Sequence, residues 1–421
     1  MSKDNSPTQS LKSLDSVAVN ELGAADPVLR PPPGKLLISN VTPLSTLHER
    51  DNGVHLLVIC HGLYGNPSHT NYLAEQYSQT YPDLVVLNAS SFSTDLTFDG
   101  IDVCGERLID EITHFQSENK VKRISFLGYS LGGLIIRYVI GRLYANKFFD
   151  SVQPMNFVTM ATPHLGVSGH PAWIANYICY RSGRQCTFTD DEYGAPLLWV
   201  LTDPSLPFMQ GLRQFQKIVI AANVYGDRTV PYLTASIRTE NPYDHVPTTP
   251  IDPTNPVIVR PASEPVIKSM AETALANAET VARVSLFLGL IMPVVLVVWS
   301  IMGPVGYYQS RKAHSRYTKS SGDATAPPGG AAVDPANIAR LKEAARELDG
   351  LAGKDEEWRR RMVAAFEAEL GSRLHRVDVM LGEWKHTHAF IVARHPKTHA
   401  AGKPAVAHVV SLFLQEHPEQ K

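Results

Sequence analysis

The stretch FLGYSLGGLIIRY, Phe126 to Tyr138, sets Ser130 between Gly128 and Gly132. RISFLG, running into it, reads as a short apolar strand; GGLIIRYVIGRLY, leaving it, carries apolar residues at helical spacing. A serine hydroxyl is a weak nucleophile at neutral pH and must be exposed, held still and placed beside a base. A sharp strand-to-helix turn lifts the hydroxyl off the sheet edge, and glycines two positions either side let strand and helix approach without a Cβ clash. Ser130 is therefore a candidate nucleophile rather than a residue of an ordinary Gly-rich turn, and the segment implies an α/β fold.

Outward from this turn, short β-branched runs alternate with helical patterns between residues 36 and 245, the signature of a mostly parallel sheet covered by helices. Strands are expected at His55 to Cys60, Leu84 to Ala89, Ile124 to Leu127, Asn156 to Met160 and Lys217 to Ala222. Each is largely apolar, as befits a strand buried on both faces. The long excursion 163–215, with Trp173, Tyr177, Tyr180, Trp199 and Phe208, reads either as a lid-like insertion over a pocket or as scaffold helices.

The flanks differ in composition. Residues 1–35 read as a disordered tail, and 246–318 as a membrane-anchoring insertion around VSLFLGLIMPVVLVVWSIMGPV, Val284 to Val305. No charge lies between Arg283 and Arg311, and as a helix these 22 residues would reach about 33 Å, enough for a hydrocarbon core of about 30 Å. A Ser/Gly/Pro linker occupies 319–335. Residues 336–421 then complete the core, with helices at Ile338 to Leu348, Glu356 to Arg373 and Pro404 to Gln415. Strands are expected there at Arg376 to Leu381 and Phe390 to Val392.

With 421 residues, 44% of them hydrophobic, the chain can bury a large core, and a formal charge of −2 provides no net field for nucleic acid. Four cysteines in so long a chain make no disulfide framework and point to reduced thiols facing the cytosol. The polar first thirty residues contain no apolar core of a secretory signal.

A Ser130 nucleophile needs donors aimed at the oxyanion of a tetrahedral intermediate. One is expected from the backbone N–H of Leu131, directly after the serine. The other is expected from the N–H of Leu63 in LLVICHGLYGN, where a buried strand ends; His61 there reads as a residue that bonds loop backbone. The acid should follow the second strand after the nucleophile strand, which places it at Asp227 in KIVIAANVYGDRTVPY. Asp203 in LTDP is the alternative, while Asp150 and Asp190 follow the wrong segments. The base is expected in the loop after the last core strand, at His388 or at His386; His388 is nearer the following apolar run. His395 and His399 sit in a polar loop, and His164 in TPHLG reads as structural.

Together, VHLLVICHGLYGNPSHTNYLAE, TFDGIDVCGERLIDEI, FLGYSLGGLIIRYVIGRLY, MATPHLG, ANVYGDRTVPY and HAFIVAR resemble a fungal family of serine esterases that includes lipid-droplet phospholipases and lipases. The resemblance runs from His55 to Tyr232 and resumes near Val377. It implies an α/β-hydrolase fold and a Ser-Asp-His lipase, with the triad on Ser130, Asp227 and His388 and lipid acyl esters as substrate. Neither the residues nor the resemblance calls for a metal or an organic cofactor.

Ser130 and Asp227 precede the apolar run and His388 follows it, so a single span would part nucleophile and base. Proton transfer requires both flanks on one side. Pro293 and Gly303-Pro304 divide the run into two arms suited to a shallow hairpin, and cations at Arg283, Arg311, Lys312, Arg316 and Lys319 agree with both ends facing the cytosol. The expectation is a lipase or phospholipase held by 284–305 at a lipid droplet or the cytosolic face of a membrane. A kinked span with His245 as base is the alternative topology. Acyl transfer, acyl-thioester hydrolysis and a catalytically idle membrane scaffold are the alternative functions.

Overall fold

VHLLVIC is buried along its whole length, and the strand it forms, β1 (Val54–Cys60), shows how the core is built. Leu56, Val58 and Cys60 face one apolar cluster, and Leu57 and Ile59 face another, as the two-residue period of a strand dictates. The computed structural model describes residues 53–167, 172–244, 246–263, 333–348, 353–382 and 386–413, with positions 300, 304, 308, 311 and 351. The remaining strands are β2 (Leu84–Asn88), β3 (Val121–Tyr129), β4 (Gln153–Met160), β5 (Lys217–Asn223), β6 (Thr248–Asp252), β7 (Asn255–Pro261) and β8 (Leu374–Val379).

These strands lie in the order β2-β1-β3-β4-β5-β8-β7-β6. The first six positions are parallel throughout, and β7 joins antiparallel to β8 through the register pair Ile258 and Val379. Helix α1 (Asn71–Thr80) and the C-terminal α10 (Lys403–Ser411) pack on one face of the sheet. Helices α2 (Ile101–Glu118) and α3 (Leu131–Ala145) pack on the other. Also present are α4 (Ala172–Cys186), α5 (Leu197–Val200), α6 (Pro207–Leu212), α7 (Tyr232–Ser236), α8 (Pro335–Leu348) and α9 (Lys354–Leu370). This is the α/β-hydrolase arrangement expected. Chain order reverses between β1 and β3, and the crevice beyond their C-terminal ends is where open parallel sheets bind ligands.

Two readings change, and one left open is narrowed. Phe390 to Val392 is not a strand: a short 3-10 turn spans Thr387–Ala389, and the chain turns on through Ala393. The run is apolar because Ile391, Val392 and Ala393 are buried beside α10, a burial that sequence pattern cannot tell from that of a strand. Residues 248–261, assigned above to the membrane insertion, form the β6–β7 hairpin that extends the sheet; β6 is exposed and carries Pro250, as an edge strand tolerates. In the excursion, Leu197, Leu198, Phe208, Met209 and Phe215 are fully buried in the α2–α3 cluster, so its described part from 179 to 215 is scaffold.

Among the described residues no helix is long and apolar enough to cross a membrane. Of the run Val284 to Val305 only Ser300 and Pro304 are described; the 1–35 tail and most of the 319–335 linker also lie outside the described residues. All four cysteines are free.

Candidate active site

Ser130 stands between β3 and α3 with φ 57° and ψ −129°, a left-handed conformation that a side-chain-bearing residue adopts only under constraint. Its N–H donates to the Met160 carbonyl at 3.0 Å, which ties the turn to the end of β4. The flanking glycines are steric requirements. A Cβ on Gly128 would lie 2.3 Å from Gly133 Cα, and one on Gly132 would lie 2.3 Å from the Cys60 carbonyl oxygen. Helix and strand could not then meet.

His388 arrives from the loop after β8. Its Nε2 is 2.9 Å from Ser130 Oγ and its Nδ1 is 2.8 Å from Asp227 Oδ2. With the Nδ1 proton on the aspartate side, Nε2 is left as the acceptor for the serine hydroxyl. Ser130 is 7% exposed and the Asp227 side chain 2%, so the relay sits in a low-dielectric setting.

Asp227 is buried but well satisfied. Its Oδ1 accepts the N–H groups of Thr229 and Val230 at 3.0 and 2.9 Å, and its Oδ2 accepts Asn223 Nδ2 at 3.1 Å besides the histidine. Burial pushes the carboxyl up, but the bond and charge of His388, with the Val230 and Asn223 donors, outweigh it and hold the group below the usual aspartate value.

Residues around the triad hold the base. Thr387 donates its N–H to the Gly226 carbonyl at 3.2 Å and its Oγ1–H to the Tyr225 carbonyl at 2.9 Å, which pins the histidine loop to the aspartate loop. The Tyr129 hydroxyl donates to the His388 carbonyl at 3.1 Å and accepts from Arg394 Nη2 at 2.8 Å. Sequence reasoning missed Tyr129, Asn223, Thr387 and Arg394. Tyr129 occupies a position in the Gly-x-Ser-x-Gly turn and Thr387 adjoins His388, yet nothing local shows which carbonyl either reaches.

On the other flank, a Cβ on Gly62 would lie 2.6 Å from Ser130 Cβ, so the loop after β1 touches the serine and the peptide N–H of Leu63 is one residue on. The Leu131 N–H opens α3, whose N-terminal end carries partial positive charge toward the site. His61 is fully buried, with Nε2 2.7 Å from the Phe92 carbonyl oxygen and Nδ1 3.1 Å from that of Gly62; it secures loop backbone.

The remaining candidates lie elsewhere. His386 is exposed, as is His395, whose ring packs against the half-buried His399. His164 is buried with Nε2 2.9 Å from Thr159 Oγ1, and burial, then Arg137, draws it well below the ordinary imidazole value. Asp203 caps a turn at Ser205 and pairs with Arg340 at 2.8 Å. Asp150 is exposed, and Asp190 is buried under the Leu197 N–H. His245 lies outside the described residues.

The resemblance read from the motifs holds for the first half of the chain: residues 50–237 match the family described as "Putative serine esterase (DUF676)". The chain is 32% identical over 216 residues to "Putative lipase C4A8.10" of Schizosaccharomyces pombe, a match covering 47% of this chain and 27% of that protein. It is 35% identical over 196 residues to "Putative lipase ROG1" of Saccharomyces cerevisiae, covering 44% and 28%. The aligned stretch thus spans little more than a quarter of either relative. Among solved structures, mature Bacillus licheniformis lipase BlEst2 aligns over 41% of this chain and 67% of that one, with 18% identity and a TM-score of 0.28.

Proposed function

We propose that this chain, whose residues 50–237 match the serine esterase family, is a lipase or phospholipase that hydrolyses acyl esters of glycerolipids at a lipid surface. The observation that carries the reading is the continuous relay from Asp227 through His388 to Ser130, at 2.8 and 2.9 Å. In the first half-reaction Ser130 Oγ attacks the ester carbonyl carbon while its proton passes to His388 Nε2. The carbonyl oxygen becomes an oxyanion facing the N–H groups of Leu63 and Leu131. Collapse expels the alcohol, which takes the proton from His388 and leaves an acyl-serine. Water, deprotonated by His388, then attacks the acyl carbon, and departure of Ser130 Oγ with that proton releases the fatty acid. Asp227 stays ionised and stabilises the imidazolium.

The lipid surface is supported by the uncharged run Val284 to Val305, and a hairpin rather than a span is supported by His388 reaching Ser130 from the far side of that run. The site then faces the cytosol at a lipid droplet or an intracellular membrane. Phospholipid, triacylglycerol and an acyl thioester offered to wild type and to Ser130→Ala test the chemistry. Ester cleavage lost in the variant is expected; cleavage retained there removes the nucleophile, and preference for the thioester replaces the lipase reading. Protease protection of tags at both termini should find them on one side.

A further inference from the structure

The oxyanion-side loop is held from outside. Gly65 N–H donates to the Gly62 carbonyl at 3.0 Å and Tyr64 has φ 50°, so residues 62–65 make a tight turn with Tyr64 left-handed. Two residues bind the turn from the segment after β2. The Thr94 N–H donates to the Gly65 carbonyl at 2.7 Å, and the Tyr64 N–H donates to Thr97 Oγ1 at 2.8 Å. The Tyr64 N–H belongs to the peptide that joins Leu63 to Tyr64, so the bond to Thr97 fixes the turn that carries the Leu63 N–H next to Gly62.

Thr97 is itself fully buried and fully engaged. Its hydroxyl proton goes to the Thr94 carbonyl at 2.6 Å, leaving the oxygen to accept Tyr64, and its carbonyl accepts the Ser182 hydroxyl of α4 at 2.6 Å. The neighbouring Arg181 clamps the same segment. Its Nη1 donates to the Asp99 carbonyl at 2.7 Å and to Asp102 Oδ1 at 2.9 Å, and its Nη2 donates to Asp102 Oδ2 at 2.8 Å. The excursion therefore reaches the active site through hydrogen bonds from behind the turn.

We propose that Thr97 is a positioning residue for the oxyanion hole, with Ser182 as its support, and that one role of the excursion is to hold the Leu63 N–H at the serine. This rests on the ester-hydrolase reading above. Thr97→Val keeps the shape and removes both bonds of the hydroxyl; Thr97→Ser restores them.

The discriminating measurement compares a soluble short-chain ester with its thionoester, whose sulfur takes little from an oxyanion hole, in wild type, Thr97→Val, Thr97→Ser and Ser182→Ala. Losing a whole oxyanion donor costs about 10² to 10³ in kcat, so a displaced one should cost about 10-fold or more. For Thr97→Val, kcat on the ester should fall by about that factor with KM within about threefold. The preference for ester over thionoester should shrink in parallel. Thr97→Ser should recover most of both, and Ser182→Ala should show the same shrinkage to a smaller degree. Equal loss on both substrates, or an unchanged preference, overturns the positioning role, since a merely less folded enzyme loses both alike. A wild type inactive on the ester, or ester turnover that survives Ser130→Ala, fails the hydrolase reading instead.

Discussion

Two buried aspartates, one in the loop after β5 and one at the entry to α5, received opposite environments from the same fold. Asp227 accepts two backbone N–H groups, an asparagine amide and an imidazole, and its carboxyl sits below the usual value although burial opposes this. Asp190 accepts the Leu197 N–H at 2.7 Å through Oδ2, while its Oδ1 is buried with no hydrogen-bond partner. Burial pushes it up to about 7, with Glu192 adding to the rise against the Leu197 bond. Depth alone does not decide whether a carboxylate stays charged; the number of donors turned toward it does. In the proposed mechanism the Asp227 carboxylate faces an imidazolium and must keep its charge, and the donors of the β5 loop hold it ionised.

The largest effect should come from cutting the charged side of this contrast at the base. His388→Ala should lower kcat on a soluble ester by about 10⁴-fold or more, as loss of a triad base does, while His386→Ala stays within about threefold. Full activity in His388→Ala would detach Asp227 from the chemistry altogether.

Next, Asp227→Asn should lower kcat by about 10³ to 10⁴, because an amide neither selects the histidine tautomer nor offsets its charge. Asp190→Asn should leave kcat within about threefold. Comparable losses in the two variants would erase the distinction between the two sites.

The other side of the contrast is read in stability against pH. Asp190 has a folded value raised from 3.8 to about 7, so the folded state holds its proton where the unfolded state has lost it. Its contribution is therefore favourable at low pH and declines as pH rises from about 4 to about 7, the penalty being complete above that. Asp190→Asn should melt higher than wild type by a margin that widens across this window and is flat beyond it, at about 4 to 8 °C near pH 8. Asp227 has the opposite sign: its depressed value adds stability present above about 4 and lost as pH falls further. Thermal melts of both variants from pH 3 to 9 check the two signs together.

The smallest effect concerns a prop of the base. Tyr129→Phe removes the bond to the His388 carbonyl and one partner of Arg394, and about 1 kcal/mol lost there should appear as a severalfold fall in kcat with little change in KM. A fall as deep as that of Asp227→Asn would mean that aligning the loop counts for as much as the charge.

The features readable in the chain itself were those carried by short windows. Largely apolar runs such as VHLLVIC named six of the eight described strands to within a few residues. The steric demands of a strand-to-helix turn named Ser130 from its glycines, and strand order placed the acid in the loop that holds Asp227. The first two depend on side-chain period or backbone sterics over a dozen residues or fewer, which any copy of the segment would obey, and the third needs only the strands counted in order along the chain. The choice of His388 over His386 was a preference in the sequence; tertiary structure exposes one and brings the other to partners 161 and 258 residues away. The burial that made Phe390 to Val392 look like a strand, the hairpin added at β8, and the reach of Thr97 and Ser182 to the serine's far flank were likewise settled only by packing. Such contacts join segments whose spacing along the chain carries no periodic signal, and they exist only once the sheet has fixed where each loop emerges.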